Sequence, residues 1–120
     1  AKSPTWTLGK SFDTHGPIGP WIVTADEIPD PQQLTIQLSV NGEMRQNSST
    51  SLMTYSIARQ ISYLSQVMTL KTGDLLITGT PAGVGLAMSP PRFLQVGDVM
   101  RVEISGIGHI ENRLVKEPEF

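Results

Sequence analysis

Apolar and polar positions alternate most cleanly between Leu34 and Val40. Leu34, Ile36, Leu38 and Val40 are apolar, and Thr35, Gln37 and Ser39 lie between them. A period of two marks a strand with one buried face, here the face of Leu34, Ile36, Leu38 and Val40. Asn41-Gly42 follows, then Glu43-Met44-Arg45-Gln46. Asn and Gly both accept positive φ, so the pattern predicts a β-hairpin with a type I′ turn. A second alternating run, Val99 to Ile104, turns at Ser105-Gly106-Ile107-Gly108 and returns through His109 to Val115, which predicts another hairpin. Trp21-Ile22-Val23-Thr24 reads as a short strand. Leu75-Leu76-Ile77-Thr78 has almost no polar face and predicts a strand buried on both sides.

The period changes after Asn47-Ser48-Ser49-Thr50-Ser51, a stretch rich in helix-capping residues. Ile57, Ile61, Leu64 and Met68 fall at helical spacing, so one helix is expected near 52–68. Pro4, Gly9, Gly16, Pro17, Gly19 and Pro20 make residues 1–20 an irregular segment, and Asp26 to Pro31 reads as a turn. Gly79-Thr80-Pro81-Ala82-Gly83-Val84-Gly85 is a glycine-rich loop, and Ser89-Pro90-Pro91-Arg92 is another. The expected fold class is mainly β (α+β), with one helix, in a single domain over 1–120.

Composition narrows the function. Gly and Pro total 20 of 120 residues, which favours short strands and turns over long helices. The net charge is −2 and the nine Lys and Arg residues are scattered, so duplex nucleic acid is not an expected partner. No apolar run approaches the ~20 residues of a membrane helix, so no membrane is expected either. The first residues, Ala1-Lys2-Ser3-Pro4-Thr5, contain no apolar core of a signal peptide. The absence of cysteine removes disulfides, thiol nucleophiles and Cys-zinc sites.

Two stretches could bind an anion. Lys10, in Gly9-Lys10-Ser11-Phe12-Asp13-Thr14, could hold a carboxylate as a point charge; the plain alternative is a surface lysine paired with Asp13. In the loop 79–85, successive N–H groups and the Thr80 hydroxyl could form an anion nest; the plain alternative is a tight connection whose glycines satisfy positive φ. The loop is not a P-loop, because Gly-Lys-Ser/Thr is missing, and it does not match the dinucleotide fingerprint. A nucleotide-binding module is therefore a weak reading. His15 lies near Lys10 and is a candidate to line a site, whereas His109 reads as an ordinary strand residue. Glu117-Pro118-Glu119 reads as a solvated end, and Asp74 and Asp98 as turn residues.

Taken in order, these blocks resemble the fumarylacetoacetate hydrolase family. Leu8-Gly9-Lys10-Ser11-Phe12-Asp13-Thr14 with Gly16-Pro17-Ile18-Gly19-Pro20-Trp21 resembles its central motif. Val40-Asn41-Gly42-Glu43 and Ser49-Thr50-Ser51 fit its next hairpin, and Thr69 through Gly85, with Thr78-Gly79-Thr80-Pro81 at its heart, is the most specific block. Pro90-Pro91, Gly97-Asp98, Val102-Glu103-Ile104 and Ile107-Gly108 complete the sequence, so the likeness spans about residues 6–115.

The resemblance implies a mixed β-sandwich roll, typically a homodimer, in the cytoplasm or the mitochondrion. It implies a divalent cation, usually Mg²⁺ with Mn²⁺ or Ca²⁺ as alternatives, and hydrolysis, isomerisation or decarboxylation of a small 2-oxo or 1,3-dicarbonyl acid through a metal-stabilised enolate. Residue by residue, it implies that Lys10 is catalytic and holds substrate, that Thr80 with Gly79 meets the substrate carboxylate, and that Thr14 lies near the cation. The family's metal-binding carboxylates lie upstream of the lysine motif and are not matched in this chain. The expectation is therefore a partial catalytic domain that needs a missing N-terminal segment or a partner. The rival expectation is a catalytically incomplete β domain serving association.

Overall fold

In a computed structural model, residues 6–117 are described. Both predicted hairpins form. β1 (Thr35–Val40) pairs antiparallel with β2 (Glu43–Ser49), and β3 (Val99–Ile104) pairs antiparallel with β4 (Gly108–Arg113). β1 also pairs antiparallel with β3, giving one four-stranded sheet in the order β2-β1-β3-β4. The elements are mainly β, as the alternation requires.

The Asn41-Gly42 turn has φ of 51° and 80°, both positive, as a type I′ turn demands. Asn41 also latches the two hairpins together. Its Nδ2 donates to Asp98 Oδ1 at 2.8 Å, and its Oδ1 accepts from the Val99 N–H at 2.9 Å.

The register sets two faces. Ile36, Leu38 and Val40 stand opposite Ile104, Val102 and Met100, and Val102 stands opposite Ile110. The other face carries Gln37, Arg101, Glu103, His109 and Glu111, with Arg101 and Glu111 in cross-strand register and 3.9 Å apart. Val40 is buried, while Leu34, Ile36 and Leu38 are half-buried.

Helix α1 spans Trp6–Gly9 and α2 spans Ile57–Ser65. α2 is shorter than the periodicity suggests. Ser56 caps it, its hydroxyl accepting the Arg59 N–H at 3.2 Å, and Thr50–Leu52 forms a separate 3-10 turn. Gln32 ties these pieces together: Oε1 accepts from the Ile57 N–H at 2.7 Å and Nε2 donates to the Thr50 carbonyl at 3.1 Å.

Two expected strands are corrected. Trp21–Thr24 and Leu75–Thr78 belong to no strand. Apolar β-branched sequence favours pairing, but a ladder needs a neighbour, and neither segment finds one among the described residues. Trp21 is fixed instead by its indole, whose Nε1 donates to the Ile107 carbonyl at 2.8 Å. Leu75–Thr78 is not buried on either side: Leu75 is 65% and Ile77 89% exposed. The accessible surface, 10033 Å², exceeds the roughly 6,400 Å² of a typical monomer of this mass. The radius of gyration, 16.1 Å, likewise exceeds the roughly 13.6 Å of a compact chain of this length.

Candidate functional site

The glycine-rich loop lies across β2, and one glycine makes that approach feasible. Gly83 has φ +108°, and a Cβ there would run into the Arg45 carbonyl oxygen, with Gln46 Cγ 2.9 Å away. Without a side chain, loop and strand backbones meet directly.

The strand beneath is irregular at this point. Ser39 pairs with Met44, but Leu38 pairs with Gln46, so Arg45 is an extra residue in β2. This β-bulge changes which residue faces the loop. An unbroken ladder from the turn would set Arg45 opposite Leu38 and leave Gln46 beside the polar Gln37. The bulge instead puts Gln46 in the apolar row of Leu38, Val102 and Ile110.

Gln46 is 8% exposed, and a buried amide there needs partners. It has two. Nε2 donates to Thr80 Oγ1 at 2.9 Å and to the Pro81 carbonyl at 2.9 Å. The Pro81 carbonyl can only accept, which fixes the orientation of the amide: the nitrogen faces the loop. Thr80 therefore accepts from Gln46, and its own hydroxyl hydrogen points elsewhere.

Thr80 and Gly79 sit at the rim of a cleft of about 490 Å³, with Ile36, Ser48, Thr50 and, from α2, Gln60 around it. A second hollow of about 420 Å³ is lined by Arg45, Gln46, Met88, Arg92 and Phe93, and Thr80 lines it as well. Ion pairs between side chains brace it. Arg92 forks onto Glu43 at 2.9 and 3.2 Å, and Arg45 Nη2 reaches Glu43 at 3.2 Å. The hydrogen bond from Arg92 holds the Glu43 carboxyl below its usual range, and the charges of Arg45 and Arg92 act in the same sense. Asp98 is likewise lowered, first by the Gln95 N–H, then by the Asn41 amide, then by the charge of Arg45. Arg45 Nε is buried without a partner among the described residues.

The other sequence candidates lie elsewhere. Lys10 follows α1, with its N–H donating to the Thr7 carbonyl at 3.2 Å, and is exposed. Thr14 is exposed in the next turn, where the Phe12 and His15 rings stand 4.8 Å apart. Neither Lys10 nor Thr14 lines either hollow. His109 is exposed on β4, opposite Glu103. Of the terminal Glu pair, Glu119 lies outside the described residues. Among the described residues, no three His, Asp or Glu side chains stand close enough to hold a metal ion. Gln46 and its bulge were not foreseen, because a register slip inside β2 leaves no mark in the residue pattern.

The fumarylacetoacetate (FAA) hydrolase C-terminal family matches residues 1–115. The chain belongs to the fumarylacetoacetate hydrolase family. A Burkholderia cenocepacia relative, provisionally named a hydrolase, is 51% identical over 104 residues, covering 86% of this chain and 37% of its own length. The chain thus spans well under half of that relative. Among solved structures, fumarylacetoacetate hydrolase from Exiguobacterium antarcticum superposes with a TM-score of 0.88 at 47% identity, over 92% of this chain and 39% of that one. Maleylpyruvate hydrolase from Sphingobium sp. SYK-6, in complex with manganese(II) and pyruvate, gives 0.84 at 39% identity, over 92% and 39%. A 2-hydroxyhepta-2,4-diene-1,7-dioate isomerase from Mycobacterium marinum gives 0.82 at 42% identity, over 96% and 42%. The fumarylacetoacetate hydrolase family to which the chain belongs thus includes both hydrolases and isomerases among its nearby structures. No helix among the described residues is long and apolar enough to cross a membrane.

Proposed function

We propose that this chain forms the carboxylate-receiving part of a fumarylacetoacetate hydrolase family enzyme acting on a small 2-oxo or 1,3-dicarbonyl acid. The observation that carries the reading is the 490 Å³ cleft lined by Gly79 and Thr80, a space scaled to a small acid, with the Thr80 oxygen already accepting from Gln46 and its hydrogen left to donate. Hydroxyl and backbone donors fix an anion's orientation without needing a charge of their own. Pyruvate and manganese in the related maleylpyruvate hydrolase support both a 2-oxo acid and a divalent cation here. The cation, Mg²⁺ or Mn²⁺, takes its ligands from outside the described residues. Lys10 and nearby Thr14 are assigned on the family resemblance: Lys10 supplies the second positive contact to substrate. A further polypeptide segment or a second copy covers the exposed apolar side chains.

The test is turnover of the full-length protein on a panel of 2-oxo and 1,3-dicarbonyl acids with Mg²⁺ or Mn²⁺. Lys10→Ala is expected to lower kcat/KM at least a hundredfold while the protein stays folded by circular dichroism. Unchanged kcat/KM would remove Lys10 from the mechanism.

The uncovered apolar surface favours one alternative, a β domain that has kept the scaffold for association alone. Calorimetry with Mg²⁺ and oxalate separates the two, because only the enzyme reading predicts a heat of binding.

A further inference from the structure

The strongest polar feature outside the residues assigned so far is the buried amide of Gln46, and three observations converge on it. It is 8% exposed and stands in an apolar row of the sheet. A one-residue bulge, a device found next to functional sites, puts it there. Both hydrogens of its Nε2 are committed to the glycine-rich loop, one to Thr80 Oγ1 and one to the Pro81 carbonyl.

We propose that Gln46 is a positioning residue that sets the polarity of the Thr80 hydroxyl, making it a donor toward a carboxylate in the cleft. The proposal rests on the reading of Thr80 given above. A hydroxyl that already accepts a hydrogen bond from an amide cannot turn its hydrogen toward that amide; it directs it to the next acceptor. Thr80 is exposed and lines the cleft, so that acceptor is solvent or a bound ligand. A bound anion in the cleft takes the place of solvent as that acceptor. The same amide anchors Pro81, so the loop cannot rotate Thr80 away without also breaking the second bond. A threonine alone is indifferent between donating and accepting. Gln46 removes that choice before ligand arrives, and the orientation need not be established on binding.

The experiment is a double-mutant cycle in the full-length protein, read as the Kd of pyruvate in saturating Mn²⁺ by calorimetry, with melting temperatures recorded for each variant. Thr80→Val keeps the shape and removes the donor. Gln46→Met keeps the length and removes the amide. Each single variant is expected to weaken pyruvate binding by roughly tenfold, the scale of one hydrogen bond to a charged group. The double variant is expected to bind no worse than Thr80→Val alone, because Gln46 acts only through that hydroxyl. A loss of global stability alone would move the melting temperature without weakening pyruvate binding.

Three results overturn the proposal. If Thr80→Val weakens binding and Gln46→Met does not, Gln46 does not position Thr80. If the two losses multiply in the double variant, Gln46 acts by another route. If Thr80→Val leaves Kd unchanged, the reading of Thr80 fails, and the role of Gln46 falls with it. Should Gln46→Met not fold, Gln46→Glu supplies the same answer: binding lost at pH 8, where the carboxylate only accepts, and regained at low pH, where the protonated acid can donate again. Weak binding at every pH would overturn it.

Discussion

Gly83 offers the sharpest test of the packing that builds the cleft. Its φ of +108° lies where side chains are rarely found, and an added methyl would collide with the Arg45 carbonyl oxygen. Gln46 Cγ at 2.9 Å and the Arg45 carbonyl carbon at 3.0 Å close off the remaining directions. Arg45 is the bulged residue, but Met44 and Gln46 on either side of it are paired with β1, so the loop yields before the strand. Backbone strain of this kind costs about 1–3 kcal/mol, and forcing a methyl into a packed contact adds about 1–3 kcal/mol. Gly83→Ala is therefore expected to destabilise the protein by about 3 kcal/mol. Urea unfolding of the full-length protein, followed by tryptophan fluorescence, measures it as a lowered midpoint at constant slope. Gly16→Ala is the control, since a methyl there meets nothing within 4 Å; its effect is expected within about 0.5 kcal/mol. If the two variants unfold at the same midpoint, the loop does not rest on β2 as described. Because the lifted loop carries Thr80, Gly83→Ala is also expected to weaken pyruvate binding.

Asn41→Ala removes the amide that bonds Asp98 and the Val99 N–H and leaves a positive φ on alanine, so a loss of about 2 kcal/mol is expected in the same unfolding assay; Asn41→Gly, which relieves the strain, is expected to lose less. Glu43 carries a pH signature. Its pKa is depressed in the folded protein by Arg92, so its contribution is present above the unfolded carboxylate pKa and is lost as pH falls through the lower folded value. The midpoint difference between the native protein and Glu43→Gln is expected at neutral pH and to vanish well below its ordinary pKa of 4.5. A difference that persists unchanged into strong acid would show that the Arg92 clamp is not electrostatic. Salt is expected to shrink the neutral-pH difference, because this pair is exposed.

Local signals were legible wherever the deciding interaction was itself local. Alternation through Leu34–Val40 and the Asn41-Gly42 pair determine the first hairpin almost alone, since turn chemistry and pleat are properties of adjacent residues. The second hairpin was readable for the same reason. Helical spacing marks the place of α2 but not its ends: the spacing runs on to Met68, whereas the helix extends from its Ser56 cap only to Ser65. Trp21–Thr24 and Leu75–Thr78 form no strand, because an apolar run states a preference for pairing without supplying the partner strand. The site divides the same way. Thr80 and Gly79 were singled out from their loop and do line a cleft. Gln46 was passed over, because its position depends on a slip in register between two strands. Lys10 and Thr14 gained their roles from family likeness, and no packing seen here draws them to the cleft.

An extra residue in a strand works as a phase shifter. Excising position 45 would leave Gln46 still opposite Leu38, with the ladder merely regular again. Moving the surplus one step later, beyond Gln46, would send the amide to the outer surface and strand the threonine without its anchor. What governs the chemistry of this rim is thus the phase of Gln46 against Leu38, more than which side chain the surplus bears, and redesign of the hairpin has to keep that phase.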